Sequence, residues 1–196
     1  NSALGLPMHQ QSSQVENRMA GEVWGIIDAG YPVVMEALTQ PEAWCDIALL
    51  HQNIKTCRVE TTTTPPIVWV RGVKKLTPLS EADHTLGYQF TSLKRDKNYL
   101  QLRLWAAQGP LGTRDYELLL EAAPLTAQRT ILRFMYGYTN GWQATMALKL
   151  YLATAGRDKV GFTVVGNNPD RTPIYITGER AIIERNTVRY FLGIHT

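Results

Sequence analysis

Between residues 84 and 104, apolar and polar side chains alternate. Leu86, Tyr88 and Phe90 stand against Thr85, Gly87, Gln89 and Thr91, and Leu100, Leu102 and Leu104 against Gln101, Arg103 and Trp105. A period of two is that of strands, whose successive side chains point to opposite faces. The polar residues 95–98 between the two runs predict a hairpin turn. The same period predicts strands over residues 114–121 and 128–138, with a turn at Ala123-Pro124, and over 53–61 and 67–74 around a Thr/Pro run. A loop through Pro78 and Asp83 follows. In 128–138, Leu132, Phe134, Tyr136 and Tyr138 share one face and Ile131, Arg133 and Met135 the other, so neither face is plainly solvent-facing.

Elsewhere the period becomes helical. Tyr31-Pro32 opens a helix through Val33, Val34, Ala37 and Leu38, and Pro41 opens a second one; proline suits a first helical turn. Residues 142–155 are apolar almost all round and stop at Gly156. Residues 178–195 read as one long helix with an apolar face of Ala181, Ile183, Val188, Phe191, Leu192 and Ile194. Residues 21–28 are a strand candidate, and 160–165 and 174–177 are short strands around a turn. The polar run 10–14 is read as part of a flexible arm over residues 1–20, leaving 21–196 as a single domain.

This order predicts an α+β chain with a long antiparallel sheet covered by its terminal helix. A strongly curved sheet wrapped over one helix is not filled by its own side chains, and the remainder is a pocket suited to an apolar ligand. With 196 residues, 44% of them hydrophobic, one good core can be built. A net charge of +3, with only the short basic groups Lys74-Lys75 and 94–97, argues against a nucleic-acid partner. No apolar run approaches the roughly 18 residues of a transmembrane segment. No glycine-rich phosphate loop, HExxH or paired cysteine pattern is present, so no cofactor and no metal are expected. Cys45 and Cys57, twelve residues apart, are either a disulfide or two buried free thiols. The start at Asn1 is read as a processed or trimmed product, in which an absent export signal decides nothing.

The opening 23–28, then Tyr31-Pro-Val-Val-Met-Glu-Ala-Leu38 and Pro41-Glu-Ala-Trp44, followed by a meander and a terminal amphipathic helix, resembles the helix-grip fold of START-like domains. That superfamily takes in polyketide cyclase-like (SRPBCC) and lipid-transfer proteins. The likeness covers roughly residues 21–195 and rests more on element order than on motifs. Trp44-Cys45-Asp46, Lys55-Thr-Cys57-Arg58, Val160-Gly-Phe-Thr163 and 183–190 are similar to an uncharacterised exported bacterial group. That likeness implies a Cys45–Cys57 disulfide and a periplasmic or otherwise exported setting, a cytoplasmic one being the alternative. The helix at 142–155 departs from the simplest pattern; it is read as a lid, a cover for one cavity end, or a piece packed outside the sheet.

Glu184 is the odd residue of the terminal helix. Ala181, Val188 and Phe191 lie three before, four and seven after it, which puts its carboxylate on the apolar arc, with Arg185, Asn186 and Arg189 toward the other side. An ionised, unpaired carboxylate there would be costly. Three roles stay open: a structural ion pair with Arg103, Arg133 or Arg58, an anchor for a polar ligand head, or a general acid or base. His195 is about three turns away, ~16 Å along the axis, and does not pair with it. Asp46 and His51 bracket an apolar stretch, and Cys45 beside Asp46 is read as bridged or buried, with a reactive thiol as the alternative.

Tyr88, Phe90, Trp105, Tyr116, Phe134, Tyr136 and Tyr190 are candidate pocket residues, with an ordinary core as the plain alternative. Together with Glu184, Arg103 and Arg133 they form the expected ligand-binding set. The leading expectation is binding or transfer of a hydrophobic small molecule, a lipid or an aromatic compound. The alternatives are a cyclase/aromatase- or hydrolase-like enzyme in the same cavity, and an exported structural or interaction protein with a closed core. Oligomeric state is not legible.

Overall fold

The computed structural model describes residues 5–72 and 84–195. Its strands are β1 (Met8–Val15), β2 (Arg18–Ile27), β3 (Ile54–Glu60), β4 (Ile67–Gly72), β5 (His84–Arg95), β6 (Leu100–Gln108), β7 (Arg114–Thr126) and β8 (Arg129–Thr139). They form one antiparallel sheet in the order β1-β2-β8-β7-β6-β5-β4-β3. Strands β3 to β8 therefore form a meander of sequence neighbours, and the pairing of β2 with β8 stitches the first hairpin to its end. Helices α1 (Tyr31–Leu38) and α2 (Pro41–Leu50) join β2 to β3. After β8 come α3 (Trp142–Ala153), a small hairpin of β9 (Val164–Asn167) and β10 (Pro173–Tyr175), and α4 (Gly178–His195). This is the helix-grip arrangement that the element order predicts.

The inner face of the sheet follows the alternation. Leu100, Leu102 and Leu104 of β6, Leu118 and Leu120 of β7, and Leu132 and Phe134 of β8 are buried and belong to one core with Ile183, Val188 and Phe191 of α4. Burying a side chain such as Phe191 is worth roughly 1.5–3 kcal/mol. Helix α4 crosses β2 closely because β2 carries glycine where the two meet. A Cβ at Gly21 would overlap Thr187, and one at Gly25 would overlap the Phe191 ring.

The ambiguity of the β8 faces is resolved by charge. Leu132, Phe134 and Tyr136 turn inward, whereas Arg133 lies on the outer face between Glu22, at 3.1 Å, and Glu121. Arg103 pairs with Glu117 at 2.8 Å on the same outer face, and Arg18 reaches that carboxylate at 3.0 Å. Trp24 lies under Arg133, and Trp105 under Arg103. Water reaches all these pairs, so each adds little stability, but together they make the outer face polar.

Three expectations are corrected. The polar run 10–14 is not a loose arm: residues 8–15 pair with β2 from Met8↔Gly25 to Val15↔Arg18. Only Met8 and Ser12 of β1 are buried, so a polar composition is what an edge strand with one solvated face requires. The turn after β7 lies at 127–128 rather than at Ala123-Pro124, because the pairing absorbs Pro124 through a register shift before Thr126. The strands expected at 160–165 and 174–177 are the shorter β9 and β10. Lys74-Lys75 and the loop through Pro78 and Asp83 lie outside the described residues.

Cys45 of α2 and Cys57 of β3 are joined in a disulfide with their Cα atoms 5.3 Å apart. The bridge ties the second helix to the last strand of the sheet.

Candidate functional site

Glu184 is buried, with 1% of its surface exposed, and its partner is none of the arginines expected from the sequence. The Ser12 hydroxyl donates to Oε1 at 2.7 Å, and the Thr163 hydroxyl does the same at 2.7 Å. The backbone N–H groups of Phe162 and Thr163 donate to Oε2 at 2.8 and 3.0 Å. Arg180 stands behind Ser12, donating to its hydroxyl at 3.1 Å and to its carbonyl at 2.7 Å. Gly161 makes the approach possible, since a Cβ there would sit 2.6 Å from Oε2. The carboxylate thus fastens β1 and the segment 161–163 to α4. Its oxygens are fully engaged, which is the condition for keeping a charge out of water.

Arg103, Arg133 and Trp105 are likewise separated from the remaining candidates, because they lie on the outer face described above. Arg58 pairs with Glu60 at 3.6 Å and covers the Trp69 ring. Phe90 and Phe134 are core residues: Phe90 packs on Trp44, and Phe134 on Tyr190.

The other tyrosines are brought together. Tyr88, Tyr116, Tyr136 and Tyr190 line a cavity of about 380 Å³ between α4 and the inner face of the sheet. Tyr116 and Tyr136 are 6.5 Å apart between ring centres, Tyr136 and Tyr190 5.5 Å, and Tyr88 meets Tyr116 edge-on. Tyr138 stacks on Tyr116 at 5.2 Å, extending the cluster. The Tyr116 hydroxyl donates to Thr113 at 2.9 Å. Those of Tyr88, Tyr136 and Tyr190 have no hydrogen-bond partner among the described residues; the residues are largely buried, but the hydroxyls themselves are not sealed off and open onto the cavity. Burial holds the phenols of Tyr88, Tyr136 and Tyr190 above the ordinary tyrosine value, and neighbouring phenols add to it. At neutral pH they are therefore neutral hydrogen-bond donors.

His51, at the end of α2, also lines the cavity and stacks on Tyr190 with ring centres 4.9 Å apart. The Asn53 N–H donates to its Nδ1 at 3.2 Å, so the ring proton resides on Nε2. Ile54, Val70 and Leu86 supply apolar wall, His84 adds a second imidazole, and no carboxylate lines the cavity among the described residues. Among the described residues, no group of three or more His, Cys, Asp or Glu side chains is placed to hold a metal.

Two further spaces adjoin this one. Tyr116, Tyr136 and Asn186 also border a space of about 340 Å³ under α3, closed by Ala144, Ala147 and Leu148. Asn53 and Asn186 also border one of about 650 Å³ between α3 and α4. Helix α3 therefore walls the two adjoining spaces, while none of its residues lines the tyrosine cavity itself. Sequence reasoning passed over Asn186, Arg185 and Arg189 as the solvent side of α4. The available signal was an apolar helix, α3, preceding α4, which left that side without open water.

No family model matches the sequence, and no curated protein matches it. Among solved structures, the chain is similar to the Zhui aromatase/cyclase from Streptomyces sp. R1128, at 15% identity over 95% of this chain and 92% of that one, with a TM-score of 0.51. It is similar also to a STAR-related lipid transfer protein from Xanthomonas axonopodis, at 12% identity over 76% and 94%, TM-score 0.49. A START superfamily protein from Mycobacterium smegmatis matches at 13% identity over 76% and 88%, TM-score 0.41. The first likeness, which spans nearly all of both chains, is one of fold: the chain has the START-like, polyketide cyclase-like helix-grip fold.

Proposed function

We propose that the protein binds or transfers a hydrophobic small molecule in the tyrosine-lined cavity. One observation carries the reading: three phenol hydroxyls, on Tyr88, Tyr136 and Tyr190, open onto the cavity without a protein hydrogen-bond partner among the described residues. The side chains are mostly buried but the hydroxyls face the cavity space, where water serves as their partner when no ligand is bound. A ligand oxygen placed among the three hydroxyls takes over those hydrogen bonds and releases the water. The surrounding aromatic faces favour a flat, unsaturated body over a purely polar one. The fold, shared with an aromatase/cyclase, supports a small-molecule cavity in this position. The Cys45–Cys57 bridge supports an exported setting.

A cyclase-like activity would use the same cavity and would need a base. The phenols are held protonated and Nδ1 of His51 is engaged by the Asn53 N–H, which leaves the His84 imidazole, also in the lining, as the candidate base among the described residues. One imidazole at the lining, with no carboxylate beside it among the described lining residues, is less than a converging acid–base set, which favours binding over turnover.

Native mass spectrometry of gently purified protein, with extraction of any retained compound, tests the proposal alongside titration with the neutral fluorophore N-phenyl-1-naphthylamine. Retention of a stoichiometric apolar compound, or saturable fluorophore binding that Tyr88→Trp blocks, is expected. A clean apo mass together with no saturable binding overturns the proposal.

A further inference from the structure

The space of about 650 Å³ beside the cavity has a different chemistry. Lys159, Arg185 and Arg189 line it together with Gln52, Asn53 and Asn186, and none of its lining residues among those described is acidic. Arg185 and Arg189 stand one turn apart on α4, an arrangement in which like charges repel. Neither forms an ion pair with a carboxylate among the described residues: Arg185 donates to the Val160 carbonyl at 3.2 Å, and Arg189 to the Asn186 side-chain oxygen at 3.2 Å. Both are half-buried. Burial and the neighbouring Arg185 charge hold the Arg189 guanidinium below its ordinary value. A helix C-terminus favours cations within its last turn, but Arg185 stands mid-helix, outside that influence. Lys159 is brought to the same basin across the Tyr151 ring, at 5.0 Å from its centre.

On the outer face of the sheet the opposite rule holds, since Arg18, Arg103 and Arg133 each meet a glutamate. Asn53 and Asn186 border both the basin and the tyrosine cavity. We infer that cavity and basin form one bipartite site for a small amphipathic acid, whose apolar body lies among the tyrosines and whose carboxylate is held by Arg185 and Arg189. Guanidinium groups suit this role because their planar donors match a carboxylate in pairs. The inference rests on the cavity reading and adds the class of ligand to it.

A pair of probes with the same ring system separates the two claims: 1-anilinonaphthalene-8-sulfonate, which carries an anionic group, and N-phenyl-1-naphthylamine, which does not. The wild-type protein is expected to bind the anionic probe more tightly. Arg185→Gln/Arg189→Gln is expected to weaken that probe by about tenfold or more while leaving the neutral one within about twofold. Arg189→Lys, which keeps the charge, should restore part of the loss. Should the double variant fail to fold, the wild type still decides: raising the salt concentration must weaken the anionic probe and spare the neutral one. Equal weakening of both probes, or an anionic probe indifferent to the arginines and to salt, overturns the inference and leaves the cavity standing. Failure of both probes to bind the wild type overturns the two together.

Discussion

Two polar clusters lie against the same helix, and they are built to opposite rules. At the Glu184 cluster every oxygen of a buried carboxylate is engaged, by Ser12, by Thr163 and by the backbone of residues 162 and 163. At the tyrosine cluster, less than two helical turns farther toward the C-terminus of α4, three hydroxyls open onto the cavity with no protein hydrogen-bond partner among the described residues. Satisfied buried groups rigidify a fold, whereas hydroxyls that open onto a cavity stay available to water or to a ligand. The comparison therefore separates architecture from site on grounds other than residue type. A buried charge looks the more functional of the two by sequence, yet it is the one with nothing left to offer a ligand.

The harshest way to break the comparison is to remove the carboxylate. Glu184→Ala leaves two backbone N–H groups and two hydroxyls facing an apolar interior, a loss on the order of 4 kcal/mol. Chemical denaturation should register that loss, while the neutral fluorophore should bind the folded fraction with unchanged affinity. An unchanged denaturation midpoint would remove Glu184 from the architecture and return it to the list of possible ligand contacts.

The cavity rim is held differently. His51, Asn53 and Ile54 all lie between Cys45 and Cys57, so the disulfide closes the short loop that carries one wall of the cavity. Cys45→Ser/Cys57→Ser is expected to cost about 3 kcal/mol, from the loop-closure entropy returned to the unfolded chain. Here stability and fluorophore affinity should fall together, unlike at Glu184. Loss of stability with full retention of affinity would show that the rim keeps its shape without the tether.

Alkaline titration probes the tyrosines alone. Tyr88 and Tyr136 are held well above the ordinary 10.0, so the unfolded chain releases their protons first as pH rises. Their contribution to stability is full below pH 10.0 and is lost as pH climbs from there through the raised folded values. Each such phenol subtracts about 1.4 kcal/mol per pH unit across that window. Phenolate absorbance should therefore rise together with unfolding instead of ahead of it. Early, non-cooperative ionisation of Tyr88 and Tyr136 would mean that water fills the cavity freely.

Much of this arrangement was written in the hydrophobic pattern. The alternation in 84–104 and 128–138 placed the strands, and Ala181, Val188 and Phe191 placed the buried face of α4, because both rest on local periodicity. Pairing across the chain was not legible in the same way. Ser12 and Thr163 lie far from Glu184 in sequence, so the carboxylate pointed the sequence reading toward Arg103 and Arg133, the arginines of the nearest predicted strands. Those two face outward, and nothing in an alternating strand says which face is inner when both carry large side chains. The run 10–14 misled for a related reason, since an edge strand with one wet face has the composition of a loop. The tyrosines were named as pocket candidates, but that their hydroxyls would lack partners depends on three-dimensional placement that no spacing encodes.

The finest test is one in which almost nothing should happen. Tyr190→Phe removes a hydroxyl that bonds to no described residue and leaves the ring stacked on His51 and packed on Phe134. Because no protein hydrogen bond is broken, unliganded stability should change by no more than about 0.5 kcal/mol, and a slight gain is the expected sign. The same deletion at a satisfied tyrosine, Tyr116→Phe, breaks the bond to Thr113 and should cost about 1 kcal/mol. The two substitutions delete the same atom from neighbouring rings of one cluster, so their difference isolates the bond from the packing. A ligand carrying an oxygen acceptor should then reverse the ranking, losing affinity for Tyr190→Phe and not for Tyr116→Phe. If both variants lose the same stability without ligand, the Tyr190 hydroxyl has a partner in the folded protein, and the contrast between the two clusters narrows to Tyr88 and Tyr136.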